Sequence, residues 1–128
     1  MEEVKLMEEI KDSILDTVKK YIGLTPEYEQ FDSTIIMMIN TVFMALHQMG
    51  IGPSNMFTIT DRSSTWSEFT DNESQLEPVK VYVSMRTRMM FDPPTVSAVT
   101  ESVNNTIKEA EWRMFTHTEL KELSESKS

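Results

Sequence analysis

Residues 31–50, FDSTIIMMINTVFMALHQMG, decide how the chain folds. Between Asp32 and Asp61 no residue carries a formal charge, in a protein where 26% of residues are charged. Ile35, Ile36, Ile39, Val42, Phe43, Leu46 and Met49 recur at three- and four-residue steps, the period that gathers side chains on one face of a helix. Met37, Met38, Met44 and Ala45 extend the apolar surface onto other sides. The outer face is left with Ser33, Thr34, Asn40, Thr41, His47 and Gln48. An amphipathic helix with so little polar surface needs cover nearly all round, from other helices of the chain or from a neighbouring subunit.

Upstream, Val4, Met7, Ile10, Ile14, Val18 and Tyr21 hold helical spacing over residues 1–22, with lysines at the end of the stripe and Gly23 placed to cap it. Thr25-Pro26 reads as a helix entry, and Asp32 as the N-cap of the central helix. Gly50 and Gly52-Pro53 stop that helix. Residues 54–75 change character: Met56 to Thr60 alternate at period two and Asp61 to Ser64 are turn-rich, so a short extended stretch or small β-hairpin is expected. Thr65 or Ser64 then caps one helical turn carrying Trp66 and Phe69. With Phe57 and Ile59 these aromatics either pin the excursion to the body or form a protruding contact loop.

Downstream, Ser74 and Glu77 have the spacing of a capping box, with Pro78 in the first turn of a third long helix that Asp92-Pro93-Pro94 terminates. A fourth begins at Thr95, its seam running through Val96, Val99, Val103, Ile107, Ala110 and Met114. The polar end, Ser124 to Ser128, is expected to fray. The fold class is therefore all-α: a small bundle of about four helices with an irregular or short β-hairpin excursion between the second and third. The expected organisation is one helical domain over residues 1–115, with the excursion at 54–75, and a C-terminal tail at 116–128.

The 128 residues suffice to bury roughly two thirds of the unfolded surface in a single core. With no cysteine there is neither a disulfide nor a thiolate site, and the acidic N-terminus lacks the basic-then-apolar order of a secretory signal. The central helix is too polar for a bilayer span, so no membrane role is expected. A net charge of -9 argues against gripping nucleic acid phosphates, yet suits the lining of a channel past which DNA slides. His47 and His117 stand outside any metal motif, Ser63-Ser64 has no glycine elbow or nearby base, and Glu68 with Asp71 reads as a solvated pair. No catalytic residue, metal or cofactor is assigned. Arg86 and Arg88, in an otherwise apolar helix, are either surface ion pairs or intersubunit contacts. Eleven methionines, some paired as Met37-Met38 and Met89-Met90, fill irregular cores or make adaptable contacts.

The order of an initial helix, FDSTIIMMINTVFMALHQMGIGPS, the TWSEF turn, LEPVKVYVSMRTRMMFDPP and a closing helix ending KEAEWRM resembles the head–tail connector or adaptor proteins of tailed bacteriophages, over about residues 9–115. That resemblance implies a structural virion protein of the neck, assembled in the host cytoplasm. It implies a homo-oligomeric ring, twelve copies in the portal's symmetry, with portal protein on one side and the next neck or tail component on the other. Genomic DNA would pass through without specific binding. By the same resemblance the C-terminal helix docks on portal, casting Trp112, Met114, Phe115, Leu120 and Leu123 as docking residues. Intersubunit contacts would fall to Met37, Met44, His47, Arg86 and Arg88, and loop contacts to the neck or a neighbour to Phe57, Ile59, Trp66 and Phe69. The alternative is a free helical interaction or regulatory module of phage origin, also without enzymatic activity.

Overall fold

The computed structural model describes residues 12–126, and the side chains of residues 12–116. Among the described residues five helices follow one another: α1 Ile14–Ile22, α2 Asp32–Gln48, α3 Trp66–Phe69, α4 Glu73–Phe91 and α5 Ser97–Ser126. The hub is α4, which packs against α1, α2 and α5. Its buried face combines Val79, Tyr82 and Val83 with the small side chains of Ser84 and Thr87.

The helix expected over residues 1–22 is interrupted. Ser13 is extended (φ -66°, ψ 127°), pairs with Thr65 in an isolated antiparallel bridge, and caps α1 by accepting the Asp16 N–H at 3.3 Å. Ile14, Leu15 and Val18 carry the stripe inward; Val4, Met7 and Ile10 lie outside the described residues. Gly23 ends α1 in the left-handed region (φ 100°), with its N–H donating to the Lys20 carbonyl and the Leu24 N–H to that of Lys19.

Asp32 does not cap α2. Phe31 occupies the cap position without a side-chain bond, and the Asp32 carboxylate turns instead to the Lys19 ammonium at 2.8 Å. Ile35, Ile39, Val42, Phe43 and Leu46 enter the core as the spacing requires. The chain's own helices leave the outer side open: Met37 is 66% exposed and Met44 51%. Gly50 (φ 77°) closes the helix, and the Ile51 N–H returns to the Leu46 carbonyl.

No β-hairpin forms; among the described residues there is no strand. The backbone groups that a second strand would have paired are taken by side chains and by the start of α1. Asn40 donates to the Ile59 carbonyl at 2.9 Å and accepts the Ile59 N–H at 2.8 Å, while Ile14 N–H donates to the Ser64 carbonyl. Arg62 reaches buried Asp16 at 2.7 Å, and Trp66 Nε1 donates to the Thr17 hydroxyl. Phe43 of α2 meets the rings of Phe57, Phe69 and Trp66 at centroid separations of 5.0, 5.2 and 6.4 Å.

Nor is the Ser74–Glu77 capping box used. Asn72 caps α4 by accepting the Ser74 N–H at 3.1 Å, ahead of the Ser74 position that the box requires, which leaves Pro78 in the second turn, without an N–H for the carbonyl four residues back. Helix α5 begins at Ser97 rather than Thr95 and stays helical through Ser126, so the expected tail continues it. Val103, Ile107, Ala110 and Met114 are buried along the seam; the two preceding rungs, Val96 and Val99, are 58% and 41% exposed.

Candidate functional site

The residues expected in a contact loop are in the monomer's core. Ile59, Trp66 and Phe69 are buried, and half-buried Phe57 stands edge-on to Phe43 and Phe69. The excursion is thus pinned to the body by its aromatic side chains. On α5, Met114 is fully buried against the bundle, as its place on the seam dictates, whereas Trp112 (66% exposed) and Phe115 (41%) face solvent. The side chains of Leu120 and Leu123, like that of His117, lie outside those described.

Met37, Met44 and His47 share the exposed side of α2. Neither Arg86 nor Arg88 forms a salt bridge among the described residues. The Arg86 guanidinium lies 5.6 Å from the centroid of the Tyr82 ring on its own helix, and that of Arg88 lies 5.9 Å from the ring of Tyr21 on α1. Burial pushes the Tyr82 hydroxyl above its ordinary pKa; Arg86 opposes the shift, while Glu111 on α5 adds to it by charge and hydrogen bond.

Three open cavities border α4. One, about 510 Å³, runs between α1 and α4 and is lined by Lys20, Tyr21, Lys80, Val81 and Met85 among others. On the far side of Val81 a second, about 210 Å³, opens between α4 and α5 beside Pro78, Glu109 and Arg113. A third, about 290 Å³, lies among α2, α4 and α5 against Ala45, Arg86, Met90 and Ile107. Lys20 and Lys80, sixty residues apart in the chain, had no sequence signal linking them beyond Lys80's place among the few charges of α4.

Among the described residues, chemically reactive groups do not converge. Glu68 and Asp71 are exposed on either side of the end of α3, and Asp61 accepts from the Ser63 N–H and hydroxyl, bonds that hold its carboxyl below the usual range. Among the described residues no three histidine, aspartate or glutamate side chains are grouped to hold a metal. No described helix is long and apolar enough to cross a membrane.

A helical bundle whose open features are a methionine face, an aromatic ridge and apolar grooves rimmed by cations has the surfaces of a protein-binding component. A family model described as phage connector protein matches residues 14–121, from the first residue of α1 into the last third of α5, and the chain belongs to that family. Its role is structural: a head–tail connector of the virion neck. No curated protein and no solved structure matches the chain.

Proposed function

We propose that the protein forms a ring of twelve copies beneath the portal vertex, joins portal on one side to the next neck or tail component on the other, and continues the DNA channel. The observation that carries the ring is α2. A helix with no charge between Asp32 and its end leaves Met37 and Met44 in solvent in the monomer, an arrangement suited to cover by an adjacent subunit. Met37, Met44 and His47 with Arg86 and Arg88 are the proposed intersubunit surfaces, and the end of α5 is the proposed portal contact. An acidic surface from a net charge of -9 would let the genome pass without adhering. Assembly takes place in the host cytoplasm.

Quantitative proteomics of purified particles tests this role. A connector must be present in copy number matching the portal. Its absence from particles, with abundant free protein in infected cells, would instead favour a regulatory interaction module.

A further inference from the structure

Cations without a carboxylate partner are unevenly placed in this acidic protein. Among the described residues Lys19 pairs with Asp32, Arg62 with Asp16 and Arg113 with Glu109. Lys20, Lys80, Arg86, Arg88 and Lys108 have no such pair; of these, Lys20 and Lys80 line the groove between α1 and α4, and Arg88 stands over Tyr21 at its edge. Its floor is apolar, made by Val81 and Met85, with the Tyr21 ring as one wall and the Arg88 guanidinium over that ring. An apolar floor with a cationic rim selects a partner segment that presents apolar anchors flanked by carboxylates.

The same chain carries such a segment on α5. Trp112 and Phe115 are exposed, and residues 109–125 hold five glutamates against Arg113 and Lys121. Trp112 is about 200° round the helix from Ala110, the residue buried against α4, so the ridge points away from its own groove. A surface that cannot reach its complement in the same molecule meets it in the next, and a heterologous contact of this kind closes into a ring when the rotation allows.

We infer that the Trp112/Phe115 ridge of one copy seats in the Lys20–Lys80–Arg88 groove of the adjacent copy. This deepens the ring reading and rests on it. It also gives to a second copy two aromatics that would otherwise be assigned to portal. Trp112 lies over Val81 and Met85, and Glu109, exchanging its exposed pair with Arg113, meets the lysines on the rim. Nucleic acid is the poorer occupant, since three cations around an apolar floor leave backbone phosphates little to contact.

The absence of native cysteine allows a direct test. A Glu77→Cys, Lys108→Cys double variant places one thiol a helical turn from Lys80 and Val81 of the groove and one a helical turn from Trp112, and is treated with a short bismaleimide at high protein concentration, alone and with portal. Head-to-tail contact gives a ladder of trimers, tetramers and higher species. Either single-cysteine variant stops at dimers. Adding Lys20→Glu with Lys80→Glu, or Trp112→Ala with Phe115→Ala, weakens the ladder by roughly tenfold or more, while circular dichroism shows each variant folded. No ladder, or one indifferent to these substitutions, overturns the contact, as does a Trp112→Ala, Phe115→Ala variant that fails to bind portal yet still crosslinks to itself. Electron microscopy separates the two readings: ring density on portal without a ladder sinks this contact and keeps the ring, whereas a ladder without added density keeps the contact and sinks the ring.

Discussion

Lys19 Nζ lies 2.8 Å from Asp32 Oδ1 in a place where the lysine side chain is 1% exposed, and it also donates to the Pro26 carbonyl at 3.0 Å. One buried ammonium thereby holds the end of α1, the intervening loop and the start of α2. Removing one partner of such a pair leaves the other charge poorly solvated, which is more damaging than the pair itself is stabilising. Because Asp32 is 26% exposed, the loss for Lys19→Ala is expected at about 2–4 kcal/mol, below the upper end for fully buried pairs. Urea unfolding with an unchanged m-value measures it; a loss within error of zero would mean that water replaces the lysine without penalty.

Asn40 does for the excursion what a second strand would have done. Its amide both donates to and accepts from the backbone of Ile59, whose side chain is buried. Asn40→Ala should cost about 1–3 kcal/mol by leaving two backbone groups unpaired, and Asn40→Asp, which keeps the acceptor and loses the donor, should fall between. Hydrogen exchange at the Ile59 amide is the sharper readout: it should accelerate in Asn40→Ala beyond the change in global stability.

Gly52 and Gly50 separate two reasons for glycine. Both have positive φ, 100° and 77°, so any side chain is strained at either. At Gly52 a Cβ would also lie 2.5 Å from the Phe69 ring, whereas at Gly50 it meets nothing. Gly50→Ala should cost about 1–2 kcal/mol from backbone strain alone, and Gly52→Ala about 2–4 kcal/mol because Phe69 must shift inside the aromatic cluster. Equal melting temperatures for the two variants would contradict the packing argument.

These contacts mark where reading the sequence stops. Helical spacing located α2, α4 and α5 because burial on one face of a helix writes a 3.6-residue period into the chain, and Gly23, Gly50 and Pro93 announced the ends by backbone geometry. Competition among polar partners writes no such period. Asp32 was free in sequence to cap α2, but Lys19 claimed it; Asn72 outcompeted Ser74 for the start of α4; Ser13 starts α1 where Thr65, distant in sequence, offers a bridge. The exposed aromatics were legible, since Trp112 and Phe115 fall off the seam that Met114 continues. The groove was not, because only the packing of α1 against α4 brings Lys20 and Lys80 together.

Met44 distinguishes an interior helix from a helix held for a neighbour. Being 51% exposed, it should tolerate Met44→Glu with a change in monomer stability of no more than about 0.5 kcal/mol. Ring assembly on portal should nevertheless fail. Global unfolding of the variant, seen by circular dichroism, would place Met44 in the core.

The most direct measurement is electron microscopy of purified portal before and after mixing with the protein. The connector ring predicts a new annular layer on one face of portal, in portal's own symmetry, with α5 at the junction. Portal particles unchanged by a saturating excess of folded protein would contradict it.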